Sequence, residues 1–232
     1  GTGVDDAMTA LDSVQRALVI APHPDDEVQG CGGTIARLLS MGCQVEILVV
    51  TRGMAPLFDE AQANQVRDEA RQAHWLLGVT QTQFLDFPAA GLDGVSRAAL
   101  NAAVAKSVMT SRPDMLLVPF VGDLHFDHKL VFDAAMVAAR PLGRDYPRRI
   151  LAYETVSETN WSAPYLGPAF QPNVFIDISS HLDQKLDAFA FVQKLYKCSF
   201  SEAVKKVATD FGLITGQRSA AADKVMLDMQ NF

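Results

Sequence analysis

Short runs of Val, Ile and Leu alternate with longer stretches of helical spacing through the first two thirds of the chain, and this alternation constrains the fold most. Each run is short and continuously apolar, as strands buried on both faces of a parallel sheet are. We therefore expect an α/β fold, with a Rossmann-like, mostly parallel sheet flanked by helices. The predicted strands are residues 17–21, 45–51, 84–87, 115–119, 150–154 and 174–178.

The intervening stretches predict helices at residues 33–41, 60–77 and 96–110. Gly42 and Gly78 stand where a helix C-cap favours a residue that can adopt positive φ. The pattern is helical from residue 181 onward.

No internal repeat or linker divides the chain, and 232 residues with 49% hydrophobic content are enough for one substantial core. We therefore expect a single domain over residues 1–232. Residues 140–171 are rich in Pro, Gly and aromatic residues, which predicts an irregular region near the functional site.

Charge and cysteine content exclude several classes of protein. The net charge of -7 argues against a nucleic-acid partner. Cys31, Cys43 and Cys198 are widely separated and odd in number, so they form neither a disulfide framework nor a Cys-x-x-Cys site. No segment approaches the roughly 18 apolar residues of a membrane span, and no secretory signal pattern begins the chain. We expect a cytoplasmic protein; whether it forms a homo-oligomer stays open.

One imidazole and three consecutive carboxylates follow the first predicted strand, as His23, Asp25, Asp26 and Glu27. The carboxyl ends of parallel strands are where such folds bind ligands. So much negative charge in a buried site requires a cation. Zinc accepts His nitrogen and carboxylate oxygen, and a catalytic zinc usually keeps three protein ligands. The segment therefore offers one His and one Asp as ligands and leaves another Asp as a base.

A second candidate segment follows the fourth predicted strand and contains two of the five histidines, His125 and His128. Because it leaves the same edge of the sheet, we expect it to meet the first segment at one metal site. His74 lies among apolar residues on a predicted helix and favours a packing or capping role. His181 is interpreted as a helix-start residue.

The glycines Gly30, Gly32 and Gly33 do not have the Gly-x-Gly-x-x-Gly spacing of a dinucleotide-binding loop. An acidic pair also stands where a pyrophosphate would need positive potential. We interpret these glycines as positions that let a helix pack closely on the sheet.

These segments resemble signatures of the PIG-L/LmbE family of zinc-dependent de-N-acetylases, which act on N-acetylglucosaminyl inositols, low-molecular-weight thiol precursors and some glycopeptide antibiotics. Residues 22–27 with 30–34 are similar to its first signature, and residues 125–128 to its second, usually His-Pro-Asp-His. Further similar stretches are residues 67–70, 77–79, 177–179 and 185–186. The likeness covers roughly residues 16–200.

The resemblance implies that His23, Asp26 and His128 bind Zn²⁺ or another divalent transition metal. It also implies that Asp25 is the general base, and that His125 stabilises the oxyanion or protonates the leaving amine. The implied reaction is hydrolysis of the N-acyl amide, typically N-acetyl, of a small amino-sugar substrate.

Three departures from the family pattern concern Gln29, where Leu is common, Phe126, which replaces Pro, and the tail after Ser199. We expect the tail to form part of the pocket wall, so this departure bears on which substrate the chain accepts. Arg67 has two interpretations: it binds a substrate hydroxyl, carboxylate or phosphate, or it is an ion-pair partner on a helix surface.

Two other functions stay open. One is an amidase that acts on a larger amino-sugar thiol conjugate through the same zinc site. The other is a metal-binding protein without catalysis, against which stands the presence of Asp25, because a structural metal site needs no base.

Overall fold

The computed structural model describes residues 11–142, 145–163, 165–192 and 222–228. Its strands are β1 (Arg16–Ala21), β2 (Gln44–Arg52), β3 (Gln81–Pro88), β4 (Met115–Pro119), β5 (Arg149–Tyr153), β6 (Phe175–Asp177) and β7 (Ala222–Asp228). They form one sheet in the order β3-β2-β1-β4-β5-β7-β6.

The first five strands of the chain are mutually parallel, and β7 pairs antiparallel with β5 on one side and β6 on the other. The predicted α/β class and mostly parallel sheet are therefore confirmed. The order reverses between β1 and β4, so the connections leaving these strands diverge and open a crevice at their carboxyl ends.

Helices cover both faces of the sheet. They are α1 (Asp26–Ser40), α2 (Glu60–Leu77), α3 (Arg97–Ser111), α4 (Phe126–Ala138), α5 (Val156–Thr159) and α6 (Leu182–Val192). Alternate residues of β1 face opposite sides: Val19 belongs to an apolar cluster that contains residues of α1, α2 and α6, whereas Ile20 belongs to a cluster that contains residues of α3 and α4. Strands β1 and β4 therefore contribute to two apolar cores, as their apolar sequences predict. Among the described helices, none is long and apolar enough to cross a bilayer.

The predicted bounds of α2 match the structure, and Gly78 caps this helix with φ +92°. The prediction for α1 is wrong at its start, because the helix begins at Asp26 and not at residue 33. The acidic segment is itself the first helical turn, where Asp26 and Glu27 stabilise the positive end of the helix dipole. Helix α4 lies in a region where no helix was expected from the sequence.

The glycines of α1 lie inside the helix and allow its close approach to the sheet. A Cβ on Gly33 would lie 2.5 Å from Ile178 Cδ1, and one on Gly30 would overlap the Tyr153 ring. The interpretation that these glycines allow packing on the sheet is therefore confirmed for Gly30, which faces β5, whereas Gly33 packs against Ile178 directly after β6 and Gly32 against Lys185 of α6. Cys31 departs from helical geometry (φ -134°) and marks a kink between them.

The helical prediction from residue 181 onward is right for α6 and wrong for β7. Pairing with strands β5 and β6, which are distant in sequence, decides the conformation of residues 222–228 over their local propensity. Cys31 and Cys43 are buried thiols that form no disulfide with a described residue. Cys198, and the tail after Ser199 apart from β7, lie outside the described residues.

Candidate active site and metal centre

The crevice between β1 and β4 brings together the three predicted metal ligands. His23 lies in the short loop between β1 and α1, Asp26 is the first residue of α1, and His128 comes from the first turn of α4. Asp26 Oδ2 lies 3.2 Å from His23 Nδ1 and 3.2 Å from His128 Nε2. Asp26 and His128 are buried and His23 is partly buried. Their ligand atoms lie close enough together to hold one metal ion.

His128 is oriented by two residues that the sequence analysis missed. Asp123 Oδ2 lies 2.8 Å from His128 Nδ1, and Asp123 Oδ1 accepts a hydrogen bond of 2.5 Å from the Thr159 hydroxyl. A carboxylate at Nδ1 holds the ring proton there and directs the Nε2 lone pair towards the cluster. The only signal for Asp123 was its place in the same loop as His128, and Thr159 gave none.

His128 Nε2 is the feature that best tests whether a metal fits. The atom is buried and makes no hydrogen bond with any described residue, although Asp26 Oδ2 is its near neighbour. A buried ring nitrogen without a hydrogen bond, close to a carboxylate and a second imidazole, matches the ligand chemistry of zinc. The residues present therefore fit the metal that the sequence predicts.

A second grouping of His23, His125 and Asp127 is also compact enough for a metal. Both oxygens of Asp127 already accept backbone hydrogen bonds, from Ala90 N at 2.7 Å and Leu92 N at 3.2 Å. His23 Nε2 lies 3.1 Å from Asp127 Oδ2, so Asp127 orients His23 much as Asp123 orients His128. We therefore favour the grouping that contains the unpartnered nitrogen.

Protonated imidazoles balance the negative charge of the carboxylates in the cluster when no cation is bound. Burial lowers the pKa of His23, but hydrogen bonds to Asp127 and Asp26 outweigh it and raise that pKa to about 9. Burial also lowers the pKa of His128, but the charge of Asp26 outweighs burial and raises that pKa to about 10. Burial would raise the pKa of Asp26, yet the charge of His128 lowers it well below its usual range. A divalent cation would replace the positive charge of these imidazoles.

Asp25 is the N-cap residue of α1, but its carboxylate makes no capping hydrogen bond. The side chain instead lines a cavity of about 360 Å³ beside the cluster. Burial, followed by the charge of Asp26, raises the pKa of Asp25 to about 7. A carboxylate in this state suits proton transfer near neutral pH.

His125 is the N-cap residue of α4, and its Nδ1 accepts a hydrogen bond of 3.2 Å from Asp127 N. The neutral ring therefore carries its proton on Nε2. Burial and the charge of His23 lower the pKa of His125, which keeps the ring neutral at pH 7. His125 lines the same cavity as Asp25 and can donate from Nε2 without being an imidazolium. Phe126 is the first residue of α4, a position where Pro is also common. The presence of Phe in place of the family's Pro therefore leaves the start of this helix intact.

Arg67 also lines the cavity, and its guanidinium is partly engaged. Nη1 lies 2.9 Å from Asp86 Oδ1, Nη2 donates to the Leu85 carbonyl, and the group lies over the Phe84 ring. Both interpretations of Arg67 thus have structural support. Glu158, which the sequence analysis missed, lines the cavity as well, and burial raises its pKa.

The other two histidines lie away from the cluster. His74 is buried, with Nε2 2.6 Å from Glu27 Oε1 and Nδ1 2.9 Å from Thr82 Oγ1. Its predicted packing role is confirmed, and its contact with Glu27 stabilises the first turn of α1. His181 ends a short 3-10 turn directly before α6, as predicted.

Two known proteins are similar to this chain in sequence. The chain is 27% identical to the diacetylchitobiose deacetylase of Thermococcus kodakarensis, over 90% of this chain and 82% of that protein. It is 31% identical to the uncharacterized deacetylase YaiS of Escherichia coli, over 68% and 79% of the two chains.

Solved structures show the same fold. The conserved protein TT1542 of Thermus thermophilus superimposes with a TM-score of 0.74 at 25% identity, covering 93% of this chain and 96% of that one. The 4-carboxy-2-hydroxymuconate hydratase GalB of Pseudomonas putida gives 0.73 at 20% identity, covering 91% and 95%, a likeness of fold alone. The profile of the PIG-L family, described as GlcNAc-PI de-N-acetylase, matches residues 18–139. The chain therefore belongs to the PIG-L family of de-N-acetylases.

Proposed function

We propose that this chain is a zinc-dependent hydrolase that removes the N-acetyl group from an amino sugar or its conjugate. The observation that carries the proposal is the cluster of His23, Asp26 and His128, in which the buried Nε2 of His128 makes no hydrogen bond with a described residue and lies 3.2 Å from Asp26 Oδ2, with Asp25 and His125 lining the adjoining cavity. The names of the relatives, which include a diacetylchitobiose deacetylase, support amide hydrolysis on an amino sugar.

His23, Asp26 and His128 would hold the zinc ion, and Asp123 and Asp127 would keep two of these ligands in the required orientation. Bound zinc would polarise the amide carbonyl and lower the pKa of a water molecule. No serine or cysteine nucleophile is required.

Asp25 accepts the proton of the attacking water, because the residue lines the cavity and its carboxylate makes no capping hydrogen bond. Its conjugate acid then supplies that proton to the departing sugar amine. His125 donates from Nε2 to the carbonyl oxygen as negative charge develops there. The low pKa of His125 favours this oxyanion role over protonation of the amine.

The test is a screen of N-acetylated amino sugars with the protein loaded with one equivalent of zinc, scoring released amine. We expect turnover that a chelator abolishes and added zinc restores. Bulky N-acyl thiol conjugates belong in the same screen, since a preference for them would identify the larger-substrate amidase. Full zinc occupancy without release of amine from any compound would leave a metal-binding protein without catalysis.

The remaining sequence predictions form part of the proposal. We propose a single catalytic domain over residues 1–232 that works in the cytoplasm on a small molecule. The fold alone does not select the reaction, since it is shared with a hydratase. The choice of amide hydrolysis rests on the family and on the sequence relatives.

A further inference from the structure

Two arginines line the same cavity as Asp25 and His125. Arg52 is the last residue of β2, and Arg67 lies in α2. Neither belongs to the metal cluster, and the proposed chemistry uses neither guanidinium. A pair of cations beside an active-site cavity therefore needs its own explanation.

The partners of these guanidiniums leave donors unused. Arg52 Nη2 donates to Asn64 Oδ1 at 2.9 Å and lies 3.4 Å from Glu60 Oε1. Arg67 reaches Asp86 and the Leu85 carbonyl through its two terminal nitrogens. The Nε atoms of both arginines are buried and have no hydrogen-bond partner among the described residues.

The carboxylates that accompany the two arginines neutralise them weakly. The Glu60 side chain is 83% exposed and that of Asp86 is 66% exposed, whereas those of Arg52 and Arg67 are 24% and 13% exposed. Water screens the exposed partners, so each ion pair offsets little of the cost of burying a guanidinium. Burial and the charges of Arg52 and Arg71 lower the pKa of Arg67, against the opposing effect of Asp86.

The rest of the cavity wall combines apolar side chains with the carboxylates of Asp25, Asp26 and Glu158, of which the first two belong to the metal centre. Its apolar lining includes Phe58, Ala63 and Val66, and the last two lie on the same helix as Arg67. An apolar lining strengthens the attraction between a guanidinium and a ligand anion, and a guanidinium matches the geometry of carboxylate and phosphate oxygens.

We propose that Arg52 and Arg67 bind an anionic group of the substrate, a carboxylate or a phosphate, so that this chain acts on acidic amino-sugar derivatives in preference to neutral ones. This inference rests on the proposed function for the remainder of the substrate. It assigns to Arg52 a specificity role and narrows the role of Arg67 to recognition of an anion.

The kinetic test compares four substrates of the zinc-loaded protein: N-acetylglucosamine, its 1-phosphate, its 6-phosphate, and N-acetylmuramic acid, which carries a carboxylate. We expect kcat/KM for at least one anionic compound to exceed that of the neutral sugar by about tenfold or more, as a charge-assisted hydrogen bond allows. The phosphate and muramic acid arms distinguish the two kinds of anion.

Arg52→Gln is the deciding variant, because Arg52 is held by exposed partners and its loss leaves the Arg67 contacts in place. We expect it to lower kcat/KM for the preferred anionic substrate by about tenfold and to change the neutral sugar less than about twofold. Arg52→Lys should recover part of the preference. The matched control is Arg97→Gln in α3, where Arg97 pairs with Asp133 outside the cavity and should leave all four rates unchanged.

A binding measurement separates this inference from the proposed function. Inorganic phosphate is titrated calorimetrically into chelator-treated wild-type, Arg52→Gln and Arg97→Gln proteins. If no sugar is deacetylated but phosphate binding is lost only in Arg52→Gln, the proposed function fails and the anion site stands. If deacetylation occurs but the neutral sugar is preferred, or the preference survives Arg52→Gln, the anion site is overturned.

Discussion

The carboxylate of Asp123 lies 2.8 Å from Nδ1 of His128, and this contact determines which ring nitrogen faces Asp26. We expect Asp123→Asn to weaken zinc binding by about 10- to 100-fold, because an amide holds the tautomer and basicity of the imidazole less firmly. A competitive chelator titration measures the dissociation constant. The control is Asp133→Asn on the surface of α4. Equal zinc affinity in Asp123→Asn and the wild type would remove Asp123 from this role.

Zinc binding should release protons and depend steeply on pH. In the metal-free protein the pKa of His23 is about 9 and that of His128 about 10, so both rings are protonated at pH 7. Both must lose a proton to act as ligands, so zinc affinity rises with pH until the pH reaches these pKa values. We expect release of about two protons per zinc near pH 7, and an affinity gain of about a hundredfold per pH unit.

Calorimetry in buffers of different ionisation enthalpy counts the protons released on zinc binding. The same titration of His125→Ala provides the control, since the pKa of His125 is lowered and its ring is already neutral. Zinc binding by the wild type without proton release would show that the imidazoles are unprotonated before the metal arrives.

Replacement of His125 by Ala and replacement of His128 by Ala should have different effects on catalysis and on zinc binding. His125→Ala should retain zinc and lower kcat by about 10²-fold, with a small effect on KM, because its hydrogen bond forms chiefly in the transition state. His128→Ala should lose or weaken zinc, since one of three protein ligands is gone.

The pH profile refines the role of His125. Since Nε2 of the neutral ring already donates, activity should not fall as pH rises through 7, whereas an essential imidazolium would lose activity there. Metal analysis and kinetics of both variants decide the assignment. Loss of zinc from His125→Ala together with its retention in His128→Ala would exchange the two roles.

Gly33→Ala should destabilise the fold, because its Cβ would lie 2.5 Å from Ile178 Cδ1 and 2.8 Å from Ile178 Cβ. The branched carbon of Ile178 cannot move as a flexible side-chain end does, so α1 must shift away from the turn that follows β6. We expect a loss of about 1–3 kcal/mol in the free energy of unfolding, measured by urea denaturation. Gly94→Ala is the matched control, since its Cβ would meet no atom of the described residues within 4 Å. Similar stability of the two variants would contradict the packing of α1.

The sequence predicted the parts of the fold that local pattern determines. Residues 17–21 of β1 and strand β4 are continuously apolar because both faces are buried, and the approach of His23 to His128 follows from two segments that leave neighbouring strand ends. The start of α1 was missed because an acidic segment has the same composition in a solvated loop as in a helix's first turn.

Contacts between distant residues could not be predicted from one sequence. The hydrogen bond from Thr159 to Asp123 joins the short helix α5 to the loop after β4, and no periodicity or spacing connects them. Strand β7 depends on pairing with β5 and β6. Arg52 ends an ordinary buried strand, so only the cavity identifies it as a candidate specificity residue.

Two adjacent carboxylates allow metal binding to be separated from proton transfer most directly. Zinc content and amine release are measured for the wild type, Asp25→Asn and Asp26→Asn. We predict that Asp25→Asn keeps one zinc per chain and loses turnover by about 10²- to 10⁴-fold, because an amide cannot accept the proton at neutral pH. We also predict that Asp26→Asn binds zinc weakly. Near-wild-type turnover in Asp25→Asn, or full zinc affinity in Asp26→Asn, would contradict the proposed roles of these two residues.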